Sequence, residues 1–149
     1  MDIRDLTRDA AAIEAGQWIG DLPGVPGLRL RVRGFTADTV RRTRERKRAE
    51  LSPGAIGANG MVERGEADRI GGEVLAEAVL LEWDGLTQDG EAVPFSAALA
   101  RTLCTAEPFA AFRDVVTEAA MRADRTRLDG EAVRAAMAGA APADGEAGE

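Results

Sequence analysis

The sequence predicts a mainly α protein of the α+β class: a small helical bundle with an N-terminal two-stranded β-hairpin packed on it. Three observations lead there. Apolar residues recur at helical spacing over residues 63–83 and 108–125. Leu28, Leu30 and Val32 alternate with Arg29, Arg31 and Arg33. No repeat of about 20–50 residues and no sustained heptad runs through the chain. The 149 residues suit one domain.

Ile3, Leu6, Ala10 and Ile13 share one face of a short N-terminal helix that Gly16 can stop. Trp18 and Ile19 then precede a Pro/Gly-rich turn over residues 21–27, giving a hairpin over about 17–34 with one greasy and one basic face. Thr36 is placed to cap a helix over 37–51 that Ser52-Pro53-Gly54 ends. Arg41, Arg42, Arg44, Arg46, Lys47 and Arg48 spread around most of its circumference, and only Val40 and Leu51 are clearly apolar. Such a helix is solvated, or covered by something acidic.

Residues 53–62 are small and Gly-rich and read as a loop. The next helix, 63–83, carries Ile70, Val74, Ala78 and Leu81 as one stripe, widened by Leu75, Val79, Leu80 and Trp83. It is expected to be buried on several sides and to form the centre of the fold. Gly71-Gly72 costs about 1 kcal/mol per residue relative to Ala and invites a kink or a close helix crossing. Gly85 ends the helix; Leu86 to Phe95 reads as a compact loop with a turn at Gln88-Asp89-Gly90 and an extended Val93-Pro94 step.

Ser96 caps a short helix, 96–104. Pro108 opens the helix over 108–125, with Phe109, Phe112, Val116, Ala119, Ala120 and Ala123 on one face. Asp129 is placed to cap a last weak helix through Met137, so the folded domain is expected over 1–138. Residues 139–149 hold only Gly, Ala, Pro, Asp and Glu and are expected to be a disordered acidic tail.

The residue inventory removes several chemistries. With no histidine, the commonest general base and metal ligand is missing, and Ser-His or Cys-His nucleophile pairs cannot be built. Cys104, the single cysteine, cannot form an intramolecular disulfide and is expected to be a buried structural thiol. Gly54 to Gly60 superficially looks like a phosphate loop, but no strand precedes it and no GK[ST] follows. Glu73, Glu77 and Glu82 are candidates for carboxylate chemistry, but no second helix supplies matching acids. They are expected to edge the helix, Glu77 nearest the apolar stripe and paired with an arginine. The expectation is a protein that is not an enzyme and takes no cofactor or metal.

A net charge of −7 disfavours general nucleic-acid binding, and no run of 18 apolar residues suggests a membrane span. The N-terminus is charged where a signal peptide would be apolar, so the cytosol is the expected location. Two candidate binding features remain. The basic block at 41–48 can be a solvated helix, a surface for an acidic partner, or an arginine-rich nucleic-acid helix. The segment around Trp83, Leu86 and Phe95 is either a packed connection or, if exposed, a binding hot spot.

The order of features also carries a resemblance. Gly16-Gln17-Trp18, the alternating hairpin and the basic helix come first. Val79 to Leu86, with Glu82-Trp83-Asp84-Gly85-Leu86, then precedes Asp89-Gly90-Glu91 and Val93-Pro94-Phe95-Ser96, with the helix from Phe109 to Asp124 last. Over about residues 12–125 this resembles the tail assembly chaperone family of tailed phages. The resemblance implies a non-enzymatic factor, made in the host cytoplasm and often absent from the mature virion. It would bind the tape measure protein and keep it soluble while tail tube protein polymerises around it, with self-association open and some members extended by a translational frameshift. The resemblance supplies no catalytic residues. The alternatives are a nucleic-acid-associated regulator using residues 41–48, or a structural adaptor in the tail or neck.

Overall fold

The computed structural model describes Ile3 and residues 10–140, with side chains described through Thr126. Of the expected first helix, α1 (Ala10–Ala15) lies within this range, and most of the part before Ala10 lies outside it. It stops at Gly16, whose φ is +78° and whose Cβ would stand 2.7 Å from the Val32 carbonyl oxygen, so only glycine fits.

The alternation at 28–33 becomes a strand as expected. β1 (Gln17–Ile19) pairs antiparallel with β2 (Arg29–Val32), Ile19 facing Leu30 and Trp18 facing Arg31. Leu28, Leu30 and Val32 are buried, whereas Arg29 is exposed and lies 5.0 Å over the Trp18 ring.

The sheet has a third strand, which corrects the helix expected to run to Trp83. The α-helix α3 (Arg64–Val74) passes into one wider π turn, Leu75–Val79, and β3 (Leu80–Asp84) then pairs antiparallel with β2. Two groups from Arg33 end the helix: its backbone N–H donates to the Val79 carbonyl (2.9 Å) and its guanidinium Nη1 to the Ala78 carbonyl (2.9 Å). In β3, Leu80 faces Val32 and Glu82 faces Arg31, leaving Leu81 as the extra residue of a bulge. Leu80 and Trp83 are therefore both buried although three residues apart. That spacing is helical, which is why the strand reads as the last turn of a helix.

β4 (Thr87–Gln88) and β5 (Glu91–Ala92) form a small hairpin around Asp89 and Gly90, with φ of +52° and +83°. The turn stands where the sequence places it, inside a segment expected to be loop throughout. α4 (Ala97–Thr105) begins at Ser96, whose Oγ accepts from Leu99 N–H at 3.1 Å.

A short 3₁₀ turn, Glu107–Phe109, leads into α5 (Ala110–Ala140). Phe109 is exposed, off the buried face assigned to it. The expected break between residues 125 and 129 is absent: Gly130 costs the helix about 1 kcal/mol, less than nucleating a new one. Residues 139 and 140 are thus helical, and the rest of the expected disordered tail lies outside the described residues.

Two further contacts fix the arrangement. α2 (Asp38–Ala49) has Ala37, not Thr36, as its N-cap residue. Asp124 of α5 organises this turn, accepting from Phe35 N–H (2.9 Å) and the Thr36 hydroxyl (2.7 Å). α3 crosses α4 at Gly72, where a Cβ would meet the Cys104 carbonyl oxygen at 2.4 Å, the close crossing the glycine pair foretells. The hydrophobic core joins the inner sheet face (Leu30, Val32, Leu80, Trp83) to Val79, Ala100 and Cys104, and to Val116 and Ala120 of α5. Among the described residues no helix is long and apolar enough to cross a membrane.

Candidate functional site

The basic helix α2 is largely answered from within the chain. Arg41 pairs with Asp38 and with Glu45 (3.2 Å), and Arg42 with Asp38 (3.0 Å). One turn on, Lys47 Nζ lies 2.9 Å from Glu73 and 2.7 Å from Glu77, and Arg46 lies 3.3 Å from Glu77. Arg69 (3.1 Å) and Arg101 (3.3 Å) close on Glu73 from α3 and α4, and Arg101 also reaches Glu77 (3.3 Å). The acidic cover that α2 requires is thus α3 itself.

Glu73, not Glu77, is the buried carboxylate. Burial alone would push its pKa up, but hydrogen bonds from Lys47 and Arg69, with their charges, outweigh that and hold it below the usual range. The Lys47 ammonium is shifted up, chiefly by its hydrogen bond to Glu77, against the opposing effect of burial. Both groups are therefore charged at neutral pH, and the arrangement is an ion-pair network tying α2, α3 and α4 together. The Cys104 thiol is fully buried and pushed up to about 11 by desolvation, so it is protonated at neutral pH. Among the described residues no cluster of three or more acidic or thiol groups converges as a metal site would need.

Trp83, Leu86 and Phe95 belong to the packed body. Trp83 is only 5% exposed, donates from Nε1 to the Val93 carbonyl (2.8 Å), and meets Phe95 and Phe112 edge-on, with centroids 4.7 and 6.2 Å away. Leu86 and Phe95 are half-buried against the same core. Of the two readings of this segment, the geometry is that of the packed connection.

What remains of the basic block is Arg44 and Arg48, and these two flank a groove. Its smaller, more apolar lobe is a depression of about 200 Å³ in which half-buried Phe35 stands beside the edges of the core residues Ile70 and Val74, with the two arginines next to them. An adjoining lobe of about 400 Å³ shares Phe35 and Gly71 and extends to Arg113, Asp114 and Thr117 on α5. The Arg44 guanidinium sits 5.9 Å over the Phe35 ring. Gly71 leaves the side of the groove open: a Cβ there would meet nothing within 4 Å. Nearby in sequence, Ile56 and Met61 are exposed, and Ile56 bridges to Val62, which also lines the groove.

The groove does not follow from any single stretch of sequence, because Phe35, Arg44, Ile70 and Arg113 come from separate elements. The available signals were the basic block, which includes Arg44 and Arg48, and the Gly71-Gly72 pair, of which only Gly72 serves a helix crossing.

A family model described as YdaY prophage protein matches residues 35–136, a span that contains the groove residues and leaves out β1 and β2. No curated protein and no solved structure matches the chain.

Proposed function

The chain belongs to the YdaY prophage protein family, and from that premise we propose that it is a non-catalytic tail assembly chaperone. Its role is to bind the tape measure protein of its own prophage in the host cytoplasm and keep it soluble while tail tube protein assembles. The observation that carries the reading is the open apolar groove between α2 and α3, lined by Phe35, Ile70 and Val74. A long helical client exposes apolar stripes until tube subunits cover it, and a groove of this kind shields such a stripe reversibly. Prophage family membership fits this reading, and the resemblance over residues 12–125 is what suggests the tape measure protein as client.

The regulator reading draws less support. Arg41, Arg42, Arg46 and Lys47 already have carboxylate partners, so phosphate binding would have to displace them, and the net charge of −7 opposes approach to a polyanion.

The test is co-expression of the full chain with the tape measure protein encoded in the same prophage. The expected outcome is a larger soluble fraction of the tape measure protein and its co-purification with the chain. An insoluble tape measure protein with no complex would overturn the proposal. Recovery of the chain in stoichiometric amount from purified particles would replace it with the structural-adaptor reading.

A further inference from the structure

We propose that the groove recognises an amphipathic helix with acidic residues along the flank of its apolar stripe. Arg44 and Arg48 pair with carboxylates one turn apart, and an apolar side chain enters between Phe35, Ile70 and Val74. This deepens the chaperone reading by naming the chemistry of the client segment, and it rests on that reading only for who the client is.

Charge accounting carries the inference. Four of the six basic residues of α2 hold acidic partners within the chain; among the described residues Arg44 and Arg48 have none. These two are the ones that line the groove. They stand four positions apart on one helix, which sets their Cβ atoms about 5–6 Å apart. Two Glu or Asp residues at i and i+4 of a partner helix have the same spacing. Cation–π contact with Phe35 holds the Arg44 guanidinium beside the apolar lining, so charge recognition and burial occur in one place. The bare Cα of Gly71 lets a partner backbone approach α3 closely.

The same features exclude simpler occupants. Residues 141–149 of this chain carry three side-chain carboxylates but no apolar side chain larger than proline, so they cannot fill the apolar floor. A phosphate backbone would satisfy the arginines and leave that floor exposed. Because the molecule as a whole is acidic, long-range attraction does not bring acidic partners in. Affinity must come from contact, with apolar insertion and arginine pairing both required.

The experiment uses the full chain and labelled synthetic helical peptides of about 18 residues, long enough to be partly helical alone. One carries Leu at i and i+4 flanked by Glu at matching spacing; the second has each Glu replaced by Gln, the third by Lys. Fluorescence anisotropy should show the Glu peptide binding about tenfold or more tightly than the Gln peptide. The Arg44→Glu/Arg48→Glu variant should lose the Glu peptide and gain the Lys peptide. Gly71→Met, which fills open space, should block binding while leaving circular dichroism unchanged and the melting temperature no lower than that of the parent chain.

Equal binding of Glu and Gln peptides, or undiminished Glu-peptide binding by the double variant, would overturn the assignment. So would an oligonucleotide that binds through the same two arginines in place of the peptides. Failure here is separable from failure of the chaperone reading. A tape measure protein that still co-purifies with the double variant removes the groove assignment and leaves the chaperone role standing.

Discussion

Gly71 and Gly72 are neighbours in α3 that are glycine for opposite reasons. A methyl group on Gly72 would stand 2.4 Å from the Cys104 carbonyl oxygen, a backbone atom that cannot turn aside, so α3 and α4 would have to separate. Gly72→Ala is expected to cost about 2 kcal/mol or more in denaturant unfolding. Gly71→Ala meets nothing and removes a flexible residue from a helix interior, so it should stabilise by up to about 1 kcal/mol. Equal effects at the two sites would contradict the crossing. A similar contrast applies to Lys47 and Glu73, whose side chains are 12% and 10% exposed. Lys47→Met leaves a buried carboxylate with only the exposed Arg69 and Arg101 to answer it, and should cost about 2–4 kcal/mol. Adding Glu73→Leu should recover most of that loss, because an apolar pair needs no desolvation. If the double variant were less stable than the single, the pair would be worth more than its burial costs.

At the scale of elements, the ion pairs act as clamps with a pH range. Glu73 joins α3 to α2 and α4; Glu14 joins α1 to α2, its pKa lowered first by the hydrogen bond from the Thr39 hydroxyl and also by Arg33. Both carboxyls ionise more readily folded than unfolded, so unfolding takes up protons in acid. Their contribution is full above the ordinary carboxylate value of 4.5 and is lost as pH falls through the lowered folded values. Melting temperature should therefore drop on acidification below that value, and Glu73→Gln should flatten the drop; an unchanged slope would show that Glu73 is not one of the groups responsible. Lys47 has the opposite sense: its raised pKa makes its contribution complete below 10.5 and lost as pH rises through the folded value. Most elements were legible in the sequence because one local pattern decided each: alternation for β2, Ser96 as cap for α4, Gly16 as the stop of α1. β3 was not, because the bulge at Leu81 places Leu80 and Trp83 on one face at the spacing of a helix turn. The turn leading into α2 was not legible either, since Asp124 holds it from 88 positions away.

Across the whole molecule, α5 is the part that makes sheet and helices one body. Gln17 donates to the Ala123 carbonyl (3.2 Å), Arg122 to the carbonyls of Gly20 and Asp21 (both 3.1 Å), and Asp124 receives the turn before α2. Only half of the site could be read from sequence. The basic block was visible as charge, but which two of its residues are left without carboxylates depends on α3 lying against α2, and the apolar lining joins Phe35, before α2, to Ile70 and Val74 of α3. The family match begins at Phe35, yet Leu30 and Val32 before it are completely buried in the core shared with α5. The strands before Phe35 should therefore not unfold as an independent layer. In a Trp18→Phe background the remaining indole, Trp83, reports the junction of β3 with Phe95 and Phe112, while far-ultraviolet dichroism reports mainly the helices. The two signals should share one denaturation midpoint. Asp124→Ala should shift both together, by about 1–3 kcal/mol, since it strips charged hydrogen bonds from a part-buried turn. Fluorescence that changed at a lower denaturant concentration than dichroism would mean that the sheet separates from the helices first, and that α5 is not the latch its contacts describe.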